Sequence, residues 1–416
     1  MKKSIVSYAC ASRVIIVVSL LMTLSSMRTT AGTLYWDSDG NAANGQTDGS
    51  GTWTGGTNWL SGANDVAWVS GNPIVFGVAG AVVGNSYTVT NTGTAYSAVQ
   101  PASITFQGGS SYTLTGNSFN IQGNLIVAAD VTSAQTISAA ISFGTTGNTT
   151  ATLSNNAVSS AGTINMTGSK MLPNSSASGG TLILTGTGTG TNLISAAVTQ
   201  SGTGAVAVNV TGSRWNFTGA NSYSGGTVVS GGTLNMGSAT TMKLAAGALT
   251  IAGGTLSSSV ATTTVGGNVV LSAGHLSLND AAAGTLTLAV NQNFTMSGGE
   301  WDISLGTTYD SITGSGTGIF SITGGLLMLD VTGAGFSYTN TYDILNGFSN
   351  GSLTGLTIDG YDQENYLATL SDTGVLSFTA IPEANTWSLL MMGVGLFCVV
   401  RLFKDGRAKG LTEVLD

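Results

Sequence analysis

The stretch Leu249-Thr-Ile251-Ala-Gly253-Gly254-Thr-Leu256 decides the fold of this chain. Apolar and small polar residues alternate on both sides of the paired glycines, so each half predicts a short strand with one apolar face. The glycines predict a tight corner, because glycine adopts positive φ without Cβ strain. The stretch therefore predicts a strand, a corner and a second strand.

The same pattern recurs along the middle of the chain. Its corner glycines stand at positions 232, 254, 274, 299 and 325, at intervals of 22, 20, 25 and 26 residues. A coil of a parallel β-helix uses about that much chain. A single coil cannot bury its apolar face alone, so the repetition predicts that successive coils stack. The other copies of the pattern are Val229–Met236, Val269–Leu278, Phe294–Ile303 and Phe320–Leu327.

A β-sandwich array is the alternative fold, and its strands would pair through hairpins. Between Phe217 and Leu329 the sequence contains no Asn-Gly or Asp-Gly, the favoured two-residue hairpin turns. The sequence therefore predicts an all-β chain built as a parallel β-helix, or β-solenoid.

The regions beside the repeats predict caps. Residues 32–100 form a predicted N-terminal cap, 101–336 the solenoid and 337–380 a C-terminal cap, because uncovered strand edges invite strand addition. The first cap is rich in tryptophan, which favours a packed aromatic core over a platform for sugar rings. Its tryptophans are Trp36, Trp53, Trp59 and Trp68.

The N-terminus predicts a signal peptide over residues 1–31. Lys2, Lys3 and Arg13 precede an apolar run, and Thr29-Thr-Ala31 supplies small residues at a cleavage site. We expect signal peptidase as a partner. A short buried helix is the alternative.

The C-terminus predicts a membrane span inside residues 381–410, followed by a tail over 411–416. Pro382-Glu383-Ala384 precedes an apolar run from Trp387 to Val400. A basic stop follows the run and should stay cytoplasmic. A buried core helix is the alternative. The residues of the basic stop are Arg401, Lys404, Arg407 and Lys409.

The charge between the two ends excludes a nucleic-acid partner. Residues 32–381 contain 3 bases and 15 acids, so this body has a net charge near −12. Nucleic acid is bound by clustered Lys and Arg, which the body lacks. The two cysteines, Cys10 and Cys398, lie in the terminal segments, so the body has no disulfide, thiol nucleophile or cysteine zinc site.

One stretch, Phe217 to Leu234, resembles the autotransporter-associated β-strand repeat. The resemblance implies a right-handed β-helical shaft. The opening Tyr35-Trp36-Asp37 also resembles the N-terminal part of proteins with such repeats. The residues that carry the repeat motif are Asn221, Tyr223, Gly225, Gly226, Thr227, Gly232 and Leu234.

The C-terminal segment resembles the PEP-CTERM sorting signal, with Ala384 in the place of the second proline. The resemblance implies an exosortase-like sorting enzyme as a partner, cleavage near Pro382-Glu383, and an association with envelope polysaccharide. It also implies export through the inner membrane and transient anchoring there, followed by release to the cell surface or beyond.

Few residues of the body suggest chemistry. His275 is the only histidine, and it takes the corner place that Thr233 and Thr255 hold in other coils. We predict a solvated corner residue there, although a Ser-His-Asp arrangement would need geometry that a sequence does not contain. Glu300 and Asp302 should share the outward face of one strand, as a solvated acidic face.

The segment Asp37-Ser-Asp39-Gly40-Asn41 superficially resembles a calcium loop. It lacks the glycine at the sixth place and the glutamate at the twelfth. We therefore predict no metal site and no cofactor.

Together these features predict a bacterial structural or adhesive surface protein that is not an enzyme and has no catalytic residue. The alternative is a glycan-binding or glycan-cleaving β-helix. A cluster of acids with an Arg or Lys in one groove would favour that alternative.

Overall fold

The computed structural model describes residues 32–82, 84–93, 99–144, 149–172, 179–200, 202–237, 242–244, 247–278 and 283–382. These residues form strands and turns, with one 3₁₀ turn at Ala42–Asn44. The predicted all-β class is confirmed. The described residues group into two compact units, one up to Gly204 and one from Ala205, with Ile183–Thr185 and Ala197–Gln200 in the second.

The first seventeen strands alternate with short turns. They are β1 Leu34–Trp36, β2 Gly51–Thr52, β3 Trp59–Ser61, β4 Asn64–Val66, β5 Pro73–Phe76, β6 Ser86–Asn91, β7 Ser103–Phe106, β8 Ser111–Gly116, β9 Phe119–Ile121, β10 Asn124–Val127, β11 Gln135–Ile137, β12 Ile141–Phe143, β13 Thr149–Asn155, β14 Ile164–Met166, β15 Lys170–Leu172, β16 Gly180–Thr185 and β17 Thr191–Ile194.

Three parallel ladders organise the first unit. The first joins β1, β5, β7, β10 and β13. The second joins β2, β6, β8, β11, β14 and β17, and the third joins β9, β12 and β15. The chain therefore visits three faces in turn, as a solenoid requires. The residues in register along the first ladder are Leu34, Ile74, Ile104, Leu125 and Leu153.

The remaining strands begin with long, bent ones and end with short ones. They are β18 Ala197–Val198, β19 Val206–Phe217, β20 Thr227–Met236, β21 Met242–Leu244, β22 Leu249–Ser258, β23 Thr262–Val265, β24 Val269–Leu278, β25 Thr285–Leu288, β26 Phe294–Met296, β27 Glu300–Ser304, β28 Ser311–Thr313, β29 Ile319–Ile322, β30 Gly325–Asp330, β31 Tyr342–Asp343, β32 Leu345–Asn346, β33 Asn350–Leu353, β34 Leu356–Asp359, β35 Tyr366–Leu370 and β36 Val375–Ala380.

Strands β19 to β30 with β32 to β34 form the shaft of the second unit. Each coil crosses three ladders: the first half of a bent strand, its second half, and a short third strand. In later coils two strands replace the bent one, as β26 and β27 do. Every described pairing between Phe217 and Leu329 is parallel, which excludes the hairpin-paired sandwich for these strands.

The register confirms the predicted coil lengths. Thr227 pairs with Leu249, Leu249 with Val269, Val269 with Phe294 and Phe294 with Phe320, which gives offsets of 22, 20, 25 and 26 residues. These offsets equal the intervals between the corner glycines.

The corners use positive φ as predicted, with one correction. Gly232, Gly274, Gly299 and Gly325 have φ of 64°, 80°, 78° and 106°. In the coil between the first two, Gly253 has φ of 151°, and positive φ does not fall on the predicted corner glycine at 254. The pair Gly253-Gly254 lets this corner place its left-handed residue one position earlier.

Stacks of apolar side chains fill the shaft. A stack on the second ladder contains Trp215, Leu234, Leu256, Leu276 and Trp301, all at most 1% exposed. Fully burying a leucine or valine stabilises a fold by roughly 1.5–3 kcal/mol. Each coil therefore depends on its neighbours for most of its stabilisation. The first ladder holds a second buried stack of Val210, Val229, Ile251, Leu271, Met296 and Ile322.

Aromatic rings fill the beginning of the first unit. Trp36, Trp53 and Trp59 are fully buried, and the centroids of Trp53 and Trp59 lie 5.0 Å apart. The hairpin of β3 and β4 pairs antiparallel with β1 and places Trp36 opposite Trp59. The expectation of an aromatic core is confirmed for these three rings, whereas Trp68 is only half-buried.

At the other end β35 and β36 form an antiparallel hairpin, and β36 also pairs with β31. Within the described residues, no helix is both long and apolar enough to cross a membrane. The predicted signal helix at 1–31 and the predicted span from Trp387 to Val400 lie outside the described residues.

Candidate functional site

A groove runs along the outward surface of the second ladder of the shaft. This shaft groove has a volume of about 600 Å³. Its charged residues are Arg214, His275, Asp302, Asp310 and Asp330. An arginine therefore shares one groove with several acids. Small hydroxyl side chains stand between the charges, from Thr233, Thr255, Ser257, Ser277 and Ser304.

Strand alternation places the acids in the groove. Along β27, Trp301 and Ile303 are buried, whereas Glu300 and Asp302 are only half-buried. The predicted outward direction of both acids is confirmed. Neighbouring coils keep this phase because the pairing is parallel, so His275 lies opposite Glu300.

His275 meets both acids of the next coil. Its Nδ1 atom lies 3.6 Å from Oε2 of Glu300 and 3.9 Å from Oδ2 of Asp302. The register confirms that Thr233 and Thr255 hold the same corner place in the preceding coils. The sequence pattern did not bring the histidine and the acids together, because their contact follows only when the coil offset of 25 residues is carried from one strand to the next.

Two further acids are held by hydrogen bonds. The Asp330 carboxylate accepts hydrogen bonds from the hydroxyl and the backbone N–H of Thr332, and these bonds lower the pKa of Asp330 below its usual value. Asp310 is buried, and its carboxylate accepts backbone N–H groups from Gly284 and Ser304. Asp310 thus fixes loop backbone, while Asp330 stays exposed and charged.

The predicted repeat motif forms a turn just before β20. Asn221 is buried, and its Oδ1 accepts the backbone N–H of Val198 at 3.1 Å. The Tyr223 and Thr227 hydroxyls are buried together, 2.6 Å apart. Burial raises the pKa of Tyr223, so this hydroxyl stays protonated. These polar residues hold the turn that leads into the strand.

The glycines of the motif permit close contact between coils. A Cβ atom on Gly225 would lie 2.6 Å from the carbonyl oxygen of Val206, and one on Gly226 would lie 2.6 Å from that of Ala248. Gly226 also has φ of 87°. Leu234 then enters the buried stack. The motif therefore encodes one turn of a tightly stacked coil.

A family model for the passenger-associated-transport-repeat matches residues 212–236. The chain carries a passenger-associated transport repeat. The match includes every motif residue that the sequence suggested, from Asn221 to Leu234. No curated protein and no solved structure matches the chain.

The transport repeat indicates an exported β-repeat protein of the passenger type, at the surface or outside the cell. It also supplies part of the shaft groove, because Arg214 and Thr233 lie within residues 212–236. Arg214 was not singled out from the sequence as a groove residue. Its alignment with Thr233 one coil later was the available signal.

The sorting motif falls at the limit of the described chain. Pro382 is described and exposed, whereas Glu383 and Ala384 lie outside the described residues. The basic stop lies outside as well. These residues are Arg401, Lys404, Arg407 and Lys409.

The acidic segment near the N-terminus holds its own loop together. The Asp37 carboxylate accepts the backbone N–H of Thr47, and Asp39 accepts the Asn44 side-chain amide at 2.7 Å. Burial, with Asp65 beside it, raises the pKa of Asp37 to about 6. The amide of Asn44 holds the pKa of Asp39 below its usual value. Asp37 and Asp39 therefore act here as acceptors for loop N–H groups.

Proposed function

We propose that this chain is a non-enzymatic structural or adhesive protein of the bacterial surface, with a right-handed β-helical shaft. The observation that carries the proposal is the division of every shaft strand into an apolar inward side and a hydroxyl-rich, acidic outward side. Such a strand pattern gives a stiff rod, because each coil is anchored on both neighbours. The outward side offers hydrogen-bonding groups to glycans or to other cells.

A polysaccharide panel tests the non-enzymatic role. The full chain is incubated with envelope polysaccharides, and both retention and released fragments are measured. We expect no fragments from any substrate. Release of oligosaccharide by the wild-type chain would contradict the structural role directly.

Sorting by a PEP-CTERM signal is the second part of the proposal. Pro382-Glu383, the apolar run after it and the basic stop support it. We expect the mature chain to end near Glu383, as mass spectrometry of protein from the native cells would show. Pro382→Ala with Glu383→Ala should retain the tail, whereas Ala384→Pro, which restores the family pattern, should be processed at least as well as wild type. An intact tail in the wild-type chain would mean a simple membrane anchor.

Glycan binding by the shaft groove is a second candidate function. The observation that favours it is the presence of Arg214 in one groove with Asp302 and Asp330. An arginine can bind a sugar carboxylate through two parallel hydrogen bonds, and the neighbouring hydroxyls can bind sugar hydroxyls.

A charge-matched pair of variants tests this candidate. Arg214→Thr introduces the residue that the next two coils carry at this place, and Lys170→Thr removes the same charge from an exposed site in the first unit. Glycan binding by the groove predicts weaker retention of acidic polysaccharide by Arg214→Thr alone. Equal retention by both variants would exclude the groove as the binding site.

A further inference from the structure

Three side chains of different chemistry converge at one point of the shaft groove. His275 projects from β24, and Glu300 and Asp302 project from β27 on the next coil. One potential ligand atom from each lies within 4.8 Å of the other two. We propose that His275, Glu300 and Asp302 form a zinc site that joins two successive coils.

The separations between the three side chains support coordination. Nδ1 of His275 lies 3.6 Å from the Glu300 oxygen and 3.9 Å from the Asp302 oxygen. Hydrogen bonds between nitrogen and oxygen span only about 2.7–3.2 Å. Ligands about 2.1 Å from a tetrahedral zinc ion lie about 3.4 Å from each other. Small side-chain rotations would therefore bring the three atoms onto one ion.

The donor set favours zinc over harder cations. A neutral imidazole and two carboxylates are typical zinc ligands, and the two carboxylates balance the charge of the ion. Calcium instead takes six to eight oxygen ligands, and nitrogen is not among them. The side chains of His275, Glu300 and Asp302 are 49%, 27% and 36% exposed, so an ion can reach them and a fourth position stays open toward solvent.

The fold does not require histidine at this corner. Thr233 and Thr255 hold the same place in the two preceding coils, and those coils stack in the same way. His275 therefore adds a ligand at a position where a threonine suffices for stacking. This comparison also supplies a variant that should fold, His275→Thr.

The test uses the full chain, purified without a histidine tag and stripped with a chelator. Zinc chloride is titrated by calorimetry, and the imidazole nitrogens of ¹⁵N-labelled protein are followed by NMR. Because His275 is the only histidine, its signals need no assignment. We expect zinc to shift the Nδ1 signal, and His275→Thr to bind one equivalent less than wild type.

The carboxylates are tested with a charge-matched control. Glu300→Gln with Asp302→Asn should weaken this zinc equivalent about tenfold or more. Glu364→Gln with Asp372→Asn removes two charges from exposed sites and should leave it unchanged. Calcium at the same concentration should leave the imidazole signals in place. Equal zinc binding by wild type and His275→Thr would overturn the proposal, and so would unshifted imidazole signals at saturating zinc.

Discussion

The beginning of the first unit and the shaft of the second unit share parallel ladders but have different interiors. Near the N-terminus, Trp36, Trp53 and Trp59 meet Phe76 in one aromatic cluster. In the shaft, one aliphatic or aromatic side chain from each coil adds to a continuous stack. The first arrangement concentrates burial in a few large rings, and the second distributes it over many equivalent positions.

The polar interiors differ in the same direction. The first unit buries amide side chains that complete backbone hydrogen bonding, such as Gln135, which donates to Ser110, and Asn155, which donates to Gly162. It also buries the Asp37 carboxyl. The shaft instead relies on glycine corners that bring backbones together. Irregular coils therefore need side chains as substitutes for missing backbone partners, whereas regular coils need small residues.

The largest effect is expected from the aromatic cluster. Trp59→Ala removes a buried ring that contacts three others, and its Nε1–H no longer donates to the Trp53 carbonyl. Large-to-small changes of this kind cost about 3–5 kcal/mol. The free energy of opening should fall by that amount in hydrogen exchange of the amides of β1 and β5.

The shaft provides the matched comparison. Leu256→Ala removes one member of a stack and should cost about 2–4 kcal/mol, with lost protection confined to β20, β22 and β24. If Trp59→Ala cost no more than Leu256→Ala, burial would not be concentrated at the N-terminus.

The second largest effect concerns a shaft corner. Gly274 has φ of 80°, and a Cβ atom there would lie 2.1 Å from the carbonyl oxygen of Gly254. Gly274→Ala should therefore cost about 3 kcal/mol through backbone strain and lost stacking, measured by the exchange of the β22 and β24 amides.

A glycine with similar φ but open surroundings isolates the stacking part. Gly62, in the turn between β3 and β4, has φ of 64°, and a Cβ atom added there would meet no atom within 4 Å. Gly62→Ala should cost only about 1 kcal/mol, the conformational part alone. Equal costs for Gly62→Ala and Gly274→Ala would show that coil contact adds nothing at the corner.

Sequence alone predicted the shaft well because its signals are local and repeated. Period-two alternation and the spacing of corner glycines gave the coil offsets that the register confirms. The position of the left-handed residue at Gly253 was missed, because either of two adjacent glycines can take it. In the first unit the ladders join strands such as β2 and β6 with weaker alternation, so their pairing could not be predicted.

The candidate site was predicted only in part. The outward phase of Glu300 and Asp302 follows from alternation within one strand. Their contact with His275 depends on pairing between coils, which sequence reasoning did not use. Arg214 and Asp330 join the same groove from coils farther away. Such a surface is set by register across many residues, whereas a local motif carries none of that information.

A pH-dependent difference between the two regions is the third prediction. The pKa of Asp37 is about 6 in the folded chain and 3.8 when unperturbed. The folded chain therefore holds this proton more tightly, so the associated stabilisation is present below pH 4 and is lost as pH rises through 6. Protection of the β1 amides should fall across this window, by the equivalent of about 3 °C in unfolding midpoint.

Asp37→Asn is the matched variant, since an asparagine keeps an oxygen for the Thr47 N–H but does not ionise. The difference in protection between wild type and variant should flatten above pH 7. The shaft amides of β22 should respond equally in both chains. A parallel pH dependence of β1 in the two chains would assign the effect to other acids.

The smallest effect tests a polar contact inside the transport repeat. Tyr223 and Thr227 share a buried hydrogen bond of 2.6 Å beside the glycines that let the coils touch. Tyr223→Phe leaves the Thr227 hydroxyl buried without this partner and should cost about 1 kcal/mol. Thr227→Val should cost a similar amount alone but little more in the double variant, because two apolar groups of matching shape need no hydrogen bond. A coupling energy near 1 kcal/mol in the exchange of the β20 amides would show that this bond stabilises the turn. Additive costs would instead leave the turn to its glycines, and the shaft would then depend on backbone contact even where its repeat buries polar groups.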